Sequence, residues 1–412
     1  MNGRERIAAA FDHREADRVP VDFSGTRSSG ISAIAYARLR AYLGLPTKPL
    51  RVYDIIQGLA VLDEDILELV GADAIELGRG FALEDHYWHE WVLPDGSPCL
   101  IPVWITPERQ PGRWVICSTS GRVIAQMPDG ALYFEQTYYP FFEEKPDLDH
   151  IEDAYPESMW TAIVSPPGPL AAAGPDGDRA LAEGAKVLRA KTDRAIVGLF
   201  GGNMLEIGQF LYRNDQFLLM LAGDPDQAQA FLDRLADIHL RNLERYLRLV
   251  GSYIDVIAFN DDLGMQSGPQ ISPRMFRQFF KRHFTRLFHR TRQLSPARIM
   301  LHTCGGIREL LPDLIDAGLE SFNPVQISSG GMESAGLKRD FGKEITFWGG
   351  GCDTQQVLPN GTPDEVRAHV RQQVNTLAPG GGFVFQQVHN IQADIPPENI
   401  VAMFDTVLGR KL

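Results

Sequence analysis

The residues best suited to chemistry in this sequence are His302 and Cys304, which stand two positions apart in the run His302-Thr303-Cys304-Gly305-Gly306. In an extended strand, side chains at positions i and i+2 project from the same face, so the imidazole and the thiol are expected to converge on one point. Imidazole and thiolate are ligands that suit Zn²⁺. The spacing therefore predicts part of a metal site at the end of a strand.

A third metal-competent residue, Cys352, follows the predicted strand two further along the chain. We predict that His302, Cys304 and Cys352 bind Zn²⁺ and leave the fourth coordination position open, which is the arrangement that separates a catalytic zinc from a structural one. The alternative interpretation is that both cysteines are small apolar core residues and that His302 is a hydrogen-bonded buried residue.

Polar residues also follow four other predicted strands. From their positions we predict catalytic roles for Asp261, Asp262 and His389. Acidic residues after a strand also cap the next helix, and buried histidines are often only hydrogen-bonded, so both interpretations of these three residues stay open. Substrate contacts are predicted for the amide side chains in the same runs, which are Asn260, Asn323, Gln326, Gln355 and Asn390.

The elements that position these residues are short β-branched and apolar runs, each followed by a helical pattern. This alternation predicts βαβ units around a parallel sheet. Eight is the closure number of a (β/α)8 TIM barrel, whose active site lies over the C-terminal ends of the strands. We therefore predict an α/β fold of this kind. The eight runs cover residues 19–23, 73–77, 195–200, 254–260, 298–302, 320–324, 345–348 and 382–386.

Helix starts and one long interval complete the predicted organisation. Residues 225–249 have helical spacing, and Ser272 and Thr362 each precede a proline as helix N-caps. Residues 80–190 are too long for one helix between the second and third strands and are predicted to be an insertion into a single domain spanning 1–412. Within it, turn pairs such as Asp95-Gly96 and Asp129-Gly130 predict antiparallel hairpins over 91–139, and a composition rich in Pro, Gly and Ala predicts a loop over 166–178.

The composition excludes several classes of function. A net charge of −13 argues against a broad nucleic-acid interface, and no apolar run reaches the eighteen residues of a membrane span. Four dispersed cysteines in 412 residues do not make a disulfide framework, so we predict a cytoplasmic protein.

Several motifs together resemble the uroporphyrinogen decarboxylase superfamily over nearly the whole chain, and the resemblance implies the same (β/α)8 barrel. The matching segments are Arg4-Glu5-Arg6-Ile7, Asp17-Arg18-Val19-Pro20-Val21, Ile271-Ser272-Pro273, His302-Thr303-Cys304-Gly305-Gly306, Asn323-Pro324-Val325-Gln326, Leu337-Lys338-Arg339-Asp340-Phe341-Gly342, Gly350-Gly351-Cys352-Asp353-Thr354-Gln355, Gly361-Thr362-Pro363-Asp364-Glu365-Val366 and His389-Asn390-Ile391-Gln392.

The superfamily contains tetrapyrrole decarboxylases and zinc-dependent methyltransferases that work with corrinoid proteins. The decarboxylases carry an arginine-rich segment after the first strand, whereas residues 23–30 here contain a single arginine, Arg27. In the methyltransferases a His-x-Cys pair and a later cysteine bind zinc, and His302, Cys304 and Cys352 match that pattern. Some relatives add a carboxylate ligand, for which Glu206, Asp261 and Asp262 are candidates.

The resemblance therefore implies a zinc-dependent methyltransferase or demethylase that moves a methyl group between a small O-, N- or S-methyl compound or thiol and a corrinoid (cobalamin) cofactor. No Asp-x-His-x-x-Gly corrinoid motif occurs in the chain, so the corrinoid is expected on a separate protein or as a free cobamide. A homodimer is also suggested. The alternative is a metal-independent lyase acting on a carboxylated substrate, with Asp262 and His389 transferring protons.

Overall fold

The computed structural model describes residues 1–80, 85–143, 146–164 and 175–412. Seven strands form one parallel sheet in sequential order: β1 Ala74–Glu76, β2 Ala195–Gly201, β3 Val256–Asn260, β4 Arg298–His302, β5 Ser321–Asn323, β6 Thr346–Trp348 and β7 Phe383–Val384. Each corresponds to one of the predicted strands. Strictly sequential parallel order with helices between the strands is the topology of a TIM-barrel-like fold.

The first predicted strand, residues 19–23, is reduced to a short extended segment around Val21. Val21 bridges Phe385 beside β7 in parallel, and its carbonyl accepts the Asp73 N–H at 2.7 Å beside β1. The Val21 N–H donates to Asp73 Oδ2 at 2.8 Å. The segment thus connects the two edges of the seven-stranded sheet, and it does so with side-chain as well as main-chain hydrogen bonds.

The interior of the curved sheet is apolar at the end opposite the strand C-termini. Buried side chains of the strands, including Val197, Met300 and Trp348, pack against Ile7 and Phe11 of the N-terminal helix. That helix begins with a capping box between Asn2 and Glu5, which satisfies two of its first N–H groups. The N-terminal helix thus fills this end of the barrel among the residues that the structure describes.

The helices outside the sheet confirm the predicted starts. Ser272 and Thr362 are N-caps whose side chains accept from Met275 N and Glu365 N, and the predicted helix over 225–249 runs from Pro225 to Val250. The helices are Gly3–Phe11, Ala33–Tyr42, Glu64–Leu69, Pro140–Glu143, Pro175–Lys191, Leu205–Tyr212, Asn214–Gly223, Pro225–Val250, Pro273–Met275, Lys281–Leu294, Leu311–Ala317, Ser334–Phe341, Val357–Asn360, Pro363–Leu377 and Pro397–Leu408, with 3-10 segments Leu77–Gly80, Asp85–Tyr87 and Leu148–Glu157 and π-helical segments Trp160–Val164 and Phe276–Phe280.

Between β1 and β2 the chain forms antiparallel strands. Trp88–Val92 pairs with Pro98–Pro102 around the turn at Asp95-Gly96, and Glu108–Gln110, Arg113–Cys117, Val123–Pro128 and Glu135–Gln136 form a second sheet. The predicted loop over 166–178 lies outside the described residues as far as 174, and residues 175–178 begin a helix rather than a loop. Two further short hairpins are Val52–Asp54 with Leu59–Ala60, next to a parallel bridge between Arg51 and Leu100, and Gly264–Met265 with Gly268–Pro269.

No helix in the part of the chain described here combines the length and apolar character that crossing a membrane requires.

Candidate metal centre

His302 and Cys304 converge at the end of β4. In register, β4 places His302 between Asn260 of β3 and Asn323 of β5. His302 Nε2 lies 3.5 Å from Cys304 Sγ. At usual bond lengths, one nitrogen and one sulfur ligand of a tetrahedral zinc ion stand about 3.6 Å apart. The distance is therefore already the one that a shared zinc ion requires.

His389 completes a group of three. The ligand atoms of His302, Cys304 and His389 all lie within 4.8 Å of one another, and this is the one group of three or more His, Cys, Asp and Glu ligands found among the described residues. The two imidazole rings meet edge-on with centroids 6.1 Å apart. Two nitrogens and one sulfur make a three-ligand set that suits zinc and leaves room for a fourth ligand.

Cys352 does not join this group in the structure, and its predicted role as the third zinc ligand stays a prediction. Strand β6 ends at Trp348, and the chain then turns through Gly349 and Gly350, which have φ values of +114° and +80°. Cys352 lies beyond that turn, so it does not continue the strand alternation. Its main chain bridges Gln387, its side chain is fully buried in the apolar core, and its Sγ lies 3.8 Å from Asp353 O.

Asp261 and Asp262 have different partners, although they are adjacent. Asp261 is fully buried, and its two carboxylate oxygens accept the N–H groups of Leu205 and Glu206 at 2.9 Å each. It therefore caps the helix Leu205–Tyr212, which precedes β3 in the chain, and not the next helix after β3 as the structural alternative supposed. Asp262 Oδ1 accepts the Cys304 N–H at 2.7 Å and lies 3.8 Å from His302 Nε2. Asp262 is the one of the pair that lies at the centre.

Negative groups concentrate around Cys304. Burial, followed by the charges of Asp262 and Asp261, raises the pKa of Glu206 well above its ordinary value. Burial, with Asp262 and Glu206 adding to it, likewise raises the pKa of the Cys304 thiol. A divalent cation at this point would favour both anionic forms, because it would compensate the charge that now opposes them.

Close main-chain packing holds the turn after His302 in place. The Gly264 N–H donates to Cys304 O at 3.1 Å, and the Gly306 N–H donates to Met265 O at 2.8 Å. A Cβ atom on Gly264 would lie 2.5 Å from Cys304 O, and one on Gly305 would lie 2.3 Å from Gly264. The hairpin Gly264–Pro269 thus fits only against glycines, and it fixes the loop that carries Cys304.

The predicted substrate contacts lie in three different environments. Asn260 lines the cavity described below. Asn323 is fully buried, and its Oδ1 lies 2.9 Å from His302 Nδ1. Asn390 is also buried and donates to Gln57 Oε1 at 2.9 Å. Gln326 Oε1 accepts the Gly305 N–H at 2.8 Å. On the outer rim, the side-chain amides of Gln326 and Gln355 both donate to Gln266 Oε1 at 3.2 Å.

A cavity of about 230 Å³ opens beside the three candidate ligands. Its walls combine carboxylates, amides and hydroxyls with an apolar floor, and a stacked pair, Trp160 and Phe210, whose ring centroids lie 5.7 Å apart, forms an aromatic wall. The lining residues are Thr26, Arg27, Ser28, Gln57, Trp160, Thr161, Leu199, Asn203, Glu206, Ile207, Phe210, Ala258, Asn260, Asp262, Met300, His302, Cys304 and His389.

Several lining residues were missed at the sequence level. Asn203 follows β2 directly, so the strand-end rule applied to the third predicted strand would have found it beside Glu206, which the sequence had named only as a candidate carboxylate ligand. Arg27 and Ser28 follow the first predicted strand in the same way. Trp160 lies far from any barrel strand in sequence, and no local pattern indicates its position.

Comparison with known proteins places the chain in a family. Residues 182–409, more than half of the chain, match the family model described as "Uroporphyrinogen decarboxylase (URO-D)". The chain belongs to the uroporphyrinogen decarboxylase family. This confirms the resemblance seen in the sequence motifs.

Solved structures similar to this URO-D family member include one that shares its fold over the full length of the chain. A methyltransferase from Methanosarcina mazei matches with a TM-score of 0.59 and 19% identity, covering 99% of each chain. An endo-1,4-beta-xylanase from Caldicellulosiruptor owensensis matches with a TM-score of 0.31 and 12% identity, over 54% of this chain and 81% of that chain. A search of curated proteins found no match to the sequence.

Proposed function

We propose that this URO-D family protein is a zinc-dependent methyltransferase. The single observation that carries the proposal is the group of His302, Cys304 and His389 on the wall of a cavity, within 4.8 Å of one another. Two imidazoles and one thiol fit zinc by donor type and number, and the cavity beside them offers the open position of a catalytic site. The similar fold of a methyltransferase over the full length of both chains supports the choice of reaction.

The charges around the group support a resident cation. Glu206 and Asp262 line the cavity together with Cys304, and all three are negative or become so on deprotonation. Arg27 is the one arginine or lysine among the described lining residues, and it lies 3.4 Å from Asp54 through its Nε. A bound zinc ion would act as a Lewis acid that favours the thiolate form of a thiol or polarises the heteroatom of a methyl donor.

The residues of the chain would divide the remaining work. Asp262, which accepts the Cys304 N–H, keeps that ligand in place and is the carboxylate closest to a proton released by a substrate thiol or hydroxyl. Asn260 lines the cavity, and its Oδ1 is buried with no hydrogen-bond partner in the described structure, so we assign it to a donor group of the substrate. Glu206 is the candidate for a carboxylate ligand.

The methyl carrier in this proposal is a corrinoid on a partner protein or a free cobamide. The cavity space of about 230 Å³ corresponds to about seven water molecules at about 30 Å³ for each. It would therefore hold a methylated compound larger than methanol. A decarboxylase acting on a tetrapyrrole with many carboxylates is disfavoured, because Arg27 is the one arginine or lysine lining the described cavity.

The test uses purified protein, metal analysis and free methylcobalamin. We expect about one zinc per chain and a zinc-dependent transfer of the methyl group from methylcobalamin to a simple alkyl thiol, giving the methyl thioether and cob(I)alamin. The His302→Ala variant should lose both zinc and transfer. Protein without zinc, or transfer that survives in His302→Ala, would contradict the proposal.

A further inference from the structure

We infer that Asn323 is a positioning residue that holds the proton of His302 on Nδ1 and so directs the lone pair of Nε2 towards the candidate metal centre. The role of Asn323 in catalysis rests on the proposed function, whereas the tautomer of His302 does not depend on that function. The geometry that carries the inference is a closed ring of hydrogen bonds among Ser28, Asn323 and Gln386, all buried.

The ring has three members and three hydrogen bonds. Gln386 Nε2 donates to Ser28 Oγ at 3.1 Å, Ser28 Oγ donates to Asn323 Oδ1 at 2.6 Å, and Asn323 Nδ2 donates to Gln386 Oε1 at 2.8 Å. Each side chain comes from a different part of the barrel, after the first predicted strand, at the end of β5 and just after β7. Such a ring taken alone could run in either direction, since amide oxygens and nitrogens can be exchanged by a flip.

One main-chain contact fixes the direction. Asn323 Nδ2 also lies 3.1 Å from Trp348 O, and a main-chain carbonyl can only accept a hydrogen bond. The nitrogen of the Asn323 amide must therefore face Trp348. Its oxygen must face Ser28 and His302 instead, because flipping the amide would set two acceptors against each other in a site without solvent.

The protonation of His302 follows from this orientation. His302 Nδ1 lies 2.9 Å from Asn323 Oδ1, which has no proton to give. Nδ1 must therefore carry the hydrogen, and in the neutral ring Nε2 then carries the lone pair. Nε2 is the atom that lies 3.5 Å from Cys304 Sγ and within reach of His389. The ring of three buried side chains thus presents His302 in its metal-binding form before any metal arrives.

The first experiment measures the tautomer in metal-free protein. Long-range ¹⁵N–¹H correlation spectra of histidine-labelled protein distinguish the two tautomers, and the His302→Gln variant assigns the signal. We expect His302 of the wild type to carry its proton on Nδ1. A wild-type His302 protonated on Nε2 would overturn the inference without any variant being needed.

Variants then identify Asn323 as the cause. In Asn323→Leu we expect the Nδ1–H tautomer to lose its preference, because no acceptor then faces Nδ1. The matched control is Asn399→Leu: Asn399 is equally buried and donates to Leu358 O and Gly361 O at 2.9 and 2.8 Å, away from the cavity. An unchanged His302 spectrum in Asn323→Leu, or an equal change in Asn399→Leu, would contradict the assignment.

A second readout is zinc affinity, measured by competition with a chromophoric chelator. We expect Asn323→Leu to bind zinc about 10–100-fold more weakly than the wild type, as for other residues that orient a ligating histidine. Asn399→Leu should bind as the wild type does. If the wild type shows the Nδ1–H tautomer but binds no zinc, the proposed function fails and the inference about Asn323 stands.

Discussion

Two corners of the barrel mouth carry residues that could bind a metal, but these residues have different surroundings at the two corners. At the end of β4, His302 and Cys304 face a cavity, and His302 is bonded to a buried polar ring. Beyond the end of β6, Cys352 lies in the apolar core. The next residue, Asp353, closes a local turn in which its Oδ1 accepts the N–H groups of Gln355 and Gln356 at 3.1 and 2.6 Å.

The two corners differ in the main chain that connects the end of the strand to the cysteine. His302 is the last residue of β4, and Cys304 follows two positions later with its N–H held by Asp262, so both side chains keep to one face. Two glycines in left-handed conformations separate Cys352 from β6. Residue type at a strand end is therefore insufficient evidence for a ligand, because the direction of the side chain depends on whether the chain continues the strand.

The largest difference between the two corners should appear when the thiol of Cys304, which follows β4, is removed. We expect Cys304→Ala to weaken zinc binding by more than about 100-fold, since a lost ligand costs more than the 10–100-fold that loss of a hydrogen-bond partner to a ligand costs. Equilibrium dialysis with metal analysis would measure it. Near-stoichiometric zinc in Cys304→Ala would remove the distinction between the two corners.

A pH-dependent stability is expected on the β6 side, where Asp22 accepts Trp348 Nε1 at 2.8 Å and Gly25 N at 2.7 Å. Burial raises the pKa of Asp22 to about 6 from its ordinary value of 3.8. Because the folded-state pKa is the higher one, this carboxyl favours the folded state below its ordinary pKa, and that contribution is lost as the pH rises through about 6.

Relative to Asp22→Asn, which does not titrate, we therefore expect the free energy of unfolding of the wild type to fall by about 3 kcal/mol between about pH 4 and pH 7. Urea unfolding of both proteins across this range would test it. A difference between them that stays constant with pH would show that Asp22 does not titrate as its burial implies.

The thiol of Cys352, which lies beyond β6, should affect the free energy of unfolding without affecting the zinc content. Cys352→Ser places a hydroxyl in an apolar site where Sγ makes only a long hydrogen bond of 3.8 Å, to Asp353 O, among the described residues, so we expect a loss of about 1–3 kcal/mol in the free energy of unfolding. Zinc content should equal that of the wild type. Loss of zinc in folded Cys352→Ser would restore Cys352 as a ligand.

The smallest effect is expected on the outer rim. Gln355 is exposed and donates to Gln266 Oε1 at 3.2 Å, and Gln355→Ala should change the free energy of unfolding by less than about 0.5 kcal/mol. Zinc affinity should also be unchanged. A marked loss of turnover in this variant would instead support the predicted contact between Gln355 and the substrate.

The sequence allowed prediction of the features that depend on short-range patterns. Seven strands and three helix starts follow from periodicity and capping residues, and the convergence of His302 and Cys304 follows from strand alternation. The roles of Asp261, as a helix cap, and of Asn323, as the partner of His302, depend on residues more than 20 positions away. Both contacts form only when the barrel brings different strand ends together, and the same holds for His389 beside His302.

The ligand set is the central claim, and zinc K-edge X-ray absorption of the purified protein tests it most directly, because it counts sulfur ligands. We expect one sulfur at about 2.3 Å, from Cys304, with the remaining ligands being nitrogen or oxygen at about 2.0–2.1 Å. Two sulfurs would show that a second cysteine binds the metal and would contradict a ligand set with Cys304 as its one thiolate, and a zinc site without sulfur would contradict the involvement of Cys304.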